Sequence, residues 1–329
     1  MGGATMSENQ RPQGLFLFSG GLDSLLASRL LKNQGVRIIG LRFRHSFLPP
    51  LDKAVREAFS SPLIEVDLRR EFLQILRSPP NGFGKNANPC LDCKILFYTQ
   101  ARLWLEKTGC SYVVSGDVVE QRPFSQRRQA LAQIEKASGL RGLVVRPLCQ
   151  RLLPPSLPET RGWVDREKLE ALSGRGRHRQ FELAALWNIS ALPTPAGGCS
   201  LTQVGFGKKV LDLLSKGLES LENFEALKRG SYFALGPKTV LIMGRDEGQN
   251  EKLRLLFNPA NHLFFEEPDL PTPCGLLLGE PVPPDRVAAL LLGFSKCSSG
   301  NFLVQGRGGE ARIPVSSPID RAESERFRI

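Results

Sequence analysis

Apolar and polar positions alternate in blocks along the first part of the chain. The run Gly14-Leu-Phe-Leu-Phe18 is short and unbroken, as in a strand buried on both faces. Ser19-Gly-Gly-Leu-Asp-Ser24 follows at once, and then apolar residues at helical spacing: Leu25, Leu26, Ala27, Leu30 and Leu31. The same rhythm predicts strands over 36–43, 62–66, 111–115 and 142–146, with helices over 52–59, 94–107 and 125–137. Strands alternating with helices imply an α/β fold, a doubly wound parallel sheet covered on both faces, with right-handed crossovers.

Beyond residue 146 the pattern changes. The proline-rich stretch 147–158 predicts extended chain, 165–172 and 179–187 predict helices, and 193–202 reads as a Pro/Gly loop before a helix over 208–214. Further on, strands over 240–243 and 275–278 flank a helix over 247–256, and the polar tail from Gly306 is expected to be loosely ordered. A boundary near Lys216 divides the chain into a first domain over 1–215 and a smaller C-terminal α+β domain over 216–329.

Composition narrows the class. A chain of 329 residues with 41% hydrophobic and 23% charged residues builds an ordinary globular core. No apolar run is long enough to cross a bilayer, and the polar segment 1–12 lacks a signal-peptide core, so no membrane role and a cytoplasmic location are expected. The net charge of +11 favours a polyanionic partner without saying which. Seven cysteines in an intracellular chain argue against a disulfide framework. Cys110, Cys149, Cys274 and Cys297 stand apart and are expected to behave as small apolar side chains.

Ser19-Gly-Gly-Leu-Asp-Ser24 sits where a strand ends and a helix begins. Gly20 and Gly21 let the main chain approach an anion, and the N–H groups at the helix start, with the Ser19 and Ser24 hydroxyls, can cradle phosphate. Asp23 cannot favour phosphate by itself, so it suggests Mg2+ or a substrate contact. Two adjacent glycines alone would describe any tight turn; the whole hexapeptide at the first strand-to-helix junction points to nucleotide binding. The hexapeptide resembles the PP-loop of the adenylating ATP pyrophosphatases, which have the adenine nucleotide alpha hydrolase-like (HUP) fold. That resemblance implies cleavage of ATP to AMP and pyrophosphate.

Asn88-Pro-Cys90-Leu-Asp-Cys93-Lys94 leads into a helix, a position expected to lower thiol pKa through the helix dipole. One Cys-x-x-Cys is compatible with a redox pair, half a zinc site or two packed thiols, and no second such motif is present. A third cysteine, Cys199, lies in the Gly-rich stretch Pro193-Thr-Pro-Ala-Gly-Gly-Cys-Ser-Leu-Thr202, where a ligand can approach it. Together these residues are similar to the PP-loop tRNA thiouridine synthases and 2-thiouridylases. In the iron–sulfur members, the resemblance implies, Cys90, Cys93 and Cys199 hold a 4Fe-4S cluster with one iron open. The rival reading puts a persulfide on Cys199, resolved by Cys90 or Cys93.

The resemblance extends through Ser115-Gly-Asp-Val-Val-Glu-Gln-Arg-Pro-Phe-Ser-Gln126, Arg146-Pro-Leu, Leu153-Pro-Pro and Gly162-Trp-Val-Asp-Arg166, and covers about 15–214. Gly116 and Asp117 follow the fourth strand, where parallel sheets place ligands. The segment from Gly236 to Glu251 resembles NFACT-type RNA-binding proteins through residues that include Arg245, Asp246 and Asn250; helix and turn capping explains these residues equally well. Seven basic residues and one acidic lie within 121–151, and Arg175, Arg177, His178 and Arg179 form a second cluster, as expected of an RNA partner, with tRNA the substrate the resemblance implies. Sulfur is expected from free sulfide or a separate donor protein. His45, His178 and His262 lie in no metal spacing and are assigned no role. The reading is therefore an ATP-dependent tRNA sulfurtransferase. Its alternatives are another PP-loop ligase, an iron–sulfur nucleobase desulfurase and a non-catalytic RNA-binding protein.

Overall fold

The computed structural model describes residues 12–190 and 198–329. The chain divides into two compact units. Of the described residues, the first comprises 12–84, 88–190 and 198–199, and the second Lys85–Ala87 with Ser200–Ile329. The division falls ahead of the boundary expected near Lys216.

In the first unit the strands are β1 (Gly14–Leu17), β2 (Ile38–Arg44), β3 (Leu63–Asp67), β4 (Tyr112–Ser115) and β5 (Val144–Val145). They form a parallel sheet in the order β3-β2-β1-β4-β5. The helices are α1 (Leu22–Lys32), α2 (Lys53–Phe59), α3 (Arg69–Arg77), α4 (Cys90–Thr108), α5 (Arg128–Ala137), α6 (Leu157–Thr160) and α7 (His178–Leu186). Alternate side chains of β1 feed separate cores. Phe16 packs with Leu26, Leu30, Phe59 and Leu183 of α1, α2 and α7, while Leu15 packs with Tyr98, Leu105 and Ile134 of α4 and α5. Two cores on opposite sides of one parallel sheet make the fold doubly wound.

Local departures from the expected elements have physical causes. The stretch 165–172 forms only a 3-10 turn, Arg166–Lys168. The amides of Glu170 and Leu172 instead donate to the carbonyls of Pro147 and Leu148. Within the proline-rich stretch, Ser156 and Glu159 form a capping box that starts α6. Helix α3 is not among the expected helices, although Phe72, Ile75 and Leu76 fall at helical spacing and Phe72 and Leu76 are its buried residues.

The second unit contains α8 (Val204–Ser215), α9 (Leu221–Leu227), β6 (Ser231–Gly236), β7 (Thr239–Met243), α10 (Glu247–Arg254), β8 (His262–Glu266), β9 (Gly275–Gly279), α11 (Pro284–Gly293), β10 (Gly300–Gly306), β11 (Gly309–Val315) and α12 (Arg321–Glu325). Its antiparallel sheet runs β11-β10-β8-β9-β7-β6 and packs Leu241, Phe265, Leu277 and Phe302 against Val287 and Leu291 of α11. The tail from Gly306 is thus ordered: β10 and β11 pair through a tight turn with Gly309 at φ 103°. The final residues line β6, with Ala234 N–H donating to Phe327 O and Ile329 N–H to Tyr232 O.

Candidate active site

The loop between β1 and α1 is shaped by its glycines. Gly20 has φ 78°, which a side chain resists, and a Cβ there would meet Leu51 at 2.9 Å. Gly21 is the N-cap of α1, and no side chain caps that end. The Ser24 N–H donates to Gly21 O at 3.0 Å, so the N–H groups of Leu22 and Asp23 are the first-turn donors that could face a ligand. Ser24 is buried and donates its hydroxyl to Gly21 O at 2.6 Å, while exposed Ser19 accepts from Gly21 N–H at 3.3 Å. Ser24 therefore closes the turn, and Ser19 lies at its open side.

Gly116 stands against this turn. A Cβ on it would lie 2.8 Å from Ser24 Cα and 2.9 Å from Ser24 N, so the end of β4 and the start of α1 meet only because residue 116 is glycine. Asp117 is 3% exposed and saturated. It accepts from Tyr98 Oη at 2.7 Å, Ser115 Oγ at 2.7 Å and Gln126 Nε2 at 2.8 Å, and it pairs with Lys94. Burial works to raise this carboxyl, but the charges of Lys94 and Arg146 and the bonds from Lys94 and Gln126 outweigh it and hold it far below the ordinary carboxylate range. Arg146, itself buried, pairs with Glu135. Asp117 fixes α4 to the ends of the strands, and its oxygens are already engaged by protein groups.

Asp23 is different. Its Oδ1 is buried with no hydrogen bond of ordinary geometry, and the side-chain amides of Gln121 and Gln180, themselves buried without such a bond, are near enough to interact with the carboxyl. Arg177 approaches Oδ2 at 3.8 Å. Burial raises the Asp23 carboxyl, against the charges of Arg177 and Arg122 and the amides of Gln121 and Gln180, which pull it down. A buried carboxylate oxygen with no well-formed hydrogen bond, beside the Gly20–Ser24 turn, is of the kind that suits a divalent cation. Of the second basic cluster, Arg177 thus turns inward, and Arg179 is taken up by Glu170 and Glu182.

Cys90 opens α4, and Cys93 lies one turn on. Cys90 Sγ accepts from Asn88 Nδ2 at 3.1 Å. The helix start does not lower the Cys93 thiol. Burial pushes it well above its ordinary value, and the thiols of Cys199 and Cys90 push it further, while Lys94 and Arg122 oppose this. Cys199 is thus within electrostatic reach of Cys93. Residues 191–197 of its loop lie outside the described residues. Gly198, at φ 69°, packs where a Cβ would meet Pro49 at 2.7 Å.

One segment sequence reasoning passed over joins these parts. Between β2 and α2, His45 Nε2 lies 3.9 Å from Cys93 Sγ, Pro49 backs Gly198, and Leu51 backs Gly20. Arg122 acts electrostatically on both Asp23 and Cys93. The three thiols match a cluster-binding donor set in kind, and none is in a disulfide. Among the described residues, no group of three or more His, Cys, Asp or Glu side chains is arranged to hold a metal ion. Cys110, Cys149 and Cys274 are buried, with Cys149 pushed up to about 11 and Cys274 to about 12, chiefly by burial, as inert packed thiols are. Among the described residues, no helix is long and apolar enough to cross a membrane.

No known protein family matches the chain, and no curated protein does. Among solved structures, a 4-thiouridine synthetase–RNA complex with bound ATP is similar over 65% of this chain and 52% of its own, at 19% identity and a TM-score of 0.36. This chain therefore spans about half the length of that synthetase. NMN synthetase from Francisella tularensis is similar over 58% of this chain and 82% of its own, at 10% identity and a TM-score of 0.28. A predicted tRNA methyltransferase subunit from Methanocaldococcus jannaschii is similar over 41% and 68%, at 16% identity and a TM-score of 0.31. At these scores the likenesses decide no activity.

Proposed function

We propose that the chain is an ATP-dependent RNA sulfurtransferase, acting on a uridine of tRNA. The supporting observation is the shared segment between β2 and α2, whose His45, Pro49 and Leu51 touch the Cys93, Cys199 and Gly20 regions. A phosphate loop and a set of thiols around one segment suit a reaction in which ATP activates an atom that sulfur then replaces.

ATP binds with its phosphates on the Gly20–Ser24 turn, whose first-turn amides stabilise charge developing at the α-phosphorus. Asp23 would hold Mg2+, which supplies charge neutralisation on the phosphates. A uridine carbonyl oxygen bonds to the α-phosphorus as the base gives its N3 proton to water, and pyrophosphate leaves with the electron pair of the broken P–O bond. A hydrosulfide at the thiol site then adds to the activated carbon. The C–O bond breaks, AMP leaves with its electron pair, and the sulfur's proton returns to N3. Arg122, placed to act on both Asp23 and Cys93, offsets negative charge as it moves between the two sites. Cys90, Cys93 and Cys199 would hold a 4Fe-4S cluster, which when bound supplies an open iron for sulfide.

RNA as partner is supported by the second unit as well. Burial lowers the Lys209 ammonium, and the charges of Arg328, itself paired with Glu325, and of Arg245 lower it further, so these cations lie within electrostatic reach of one another, an arrangement that suits a phosphate. Asp246 and Asn250 have other work. Asp246 caps α10 by accepting from Gln249 N–H at 2.9 Å, and Asn250 Oδ1 accepts from Cys274 N–H at 3.2 Å.

The test is anaerobic purification, followed by measurement of iron and of AMP release with bulk tRNA, ATP and sulfide. Nucleosides from the digested tRNA are analysed by mass spectrometry. Thiolated uridine that requires ATP and is lost in Cys199→Ala is expected. ATP-independent change, or full activity in Cys199→Ala, would refute sulfur transfer by this site, and iron-free activity would remove the cluster alone.

A further inference from the structure

His45 is 4% exposed, and its ring lies flat on Phe72, with centroids 3.8 Å apart and planes 4° apart. Stacking on α3 fixes the plane of the imidazole. The backbone N–H of Phe47 donates to its Nδ1 at 3.2 Å. A ring nitrogen that accepts carries no proton, so the neutral imidazole bears its proton on Nε2. That nitrogen is the one 3.9 Å from Cys93 Sγ.

We propose that His45 is a positioning residue for the Cys93 sulfur, donating Nε2–H to it when the sulfur is deprotonated or bonded to another group. The arrangement is not that of a cysteine beside its base. The lone pair that would take a proton is on Nδ1 and is engaged by Phe47, so the face toward Cys93 is a donor. A neutral donor also answers the local problem. Cys90 and Cys199 lie within electrostatic reach of Cys93, and His45 gives its sulfur a neutral donor in place of a further thiol. The inference deepens the sulfur-transfer reading and draws its meaning from it, but its test needs neither ATP nor RNA.

The full-length reduced protein is alkylated anaerobically with iodoacetamide at a single pH, and each cysteine is followed by mass spectrometry with Cys90 as internal reference. His45→Phe keeps a flat ring on Phe72 without the N–H, and His45→Gln restores a donor. His45→Phe is expected to slow Cys93 relative to Cys90 about fivefold, the size of one hydrogen bond, with most of the rate regained in His45→Gln. Nitrogen-15 spectra of the unaltered protein are expected to show the ring proton on Nε2. An unchanged ratio, equal slowing in both variants, or a proton on Nδ1 would overturn the role. A shifted ratio in a protein that transfers no sulfur would keep His45's role and remove the reaction.

Discussion

Asp117 is a buried charge with both oxygens engaged by protein groups, and the ends of β4 and α4 depend on it. Asp117→Asn removes the charge facing Lys94 and Arg146, and breaking a buried pair from one side costs about 3–5 kcal/mol. Urea unfolding of the two proteins near neutral pH measures this. The carboxyl's folded pKa lies below its unfolded value of about 3.9, so the folded state binds fewer protons there. Its contribution is complete above that value and fades as pH falls below it toward the folded pKa. The urea midpoint should therefore drop from pH 6 to pH 3 more steeply in the unaltered protein than in Asp117→Asn. Gly116 poses a separate demand. A methyl at residue 116 must displace the Ser24 backbone, so Gly116→Ala should abolish ATP binding measured by calorimetry and cost about 1–3 kcal/mol of stability. ATP binding at full strength in that variant would show that the turn tolerates the shift.

Elements differed in how openly the sequence announced them. The parallel sheet was legible because β1, β2 and β4 are compact apolar runs separated by helices, and the loop after β1 was legible from six consecutive residues. Strand β11 was not: Gly309 to Arg312 are exposed, and only pairing with β10 gives that polar stretch its shape. Cys90, Cys93 and Cys199 could be singled out from spacing and resemblance. His45 could not, because a lone histidine acquires meaning only from Cys93, 48 residues away and brought near by the fold. At α10 the sequence left capping and RNA recognition equally open, and the capping geometry is present. Asn250→Ala leaves the buried Cys274 amide without its acceptor, so it should destabilise the protein by about 1–3 kcal/mol. RNA affinity, measured on the folded variant by filter binding, should be unchanged; a selective loss of affinity would return Asn250 to the RNA-binding reading.

Across the whole molecule the excess of +11 is distributed unevenly in use. Arg146 and Arg179 are consumed by carboxylates, whereas the charge of Arg245, whose Nε donates to Gln249 Oε1, acts on Lys209. Replacing Lys209 and Arg245 together by alanine should weaken RNA binding and flatten its logarithmic salt dependence by about 1–2 units of slope, one for each phosphate that the protein no longer neutralises. An unaltered slope would take RNA away from that surface. The residues alongside β6 have a different consequence. They cover amide and carbonyl groups at the outermost strand of the antiparallel sheet, and a strand stripped of such a cover is a template for another chain's strand. A protein shortened to end at Arg326 should therefore self-associate increasingly with concentration in light scattering, through a ladder of main-chain bonds that the intact molecule completes within itself.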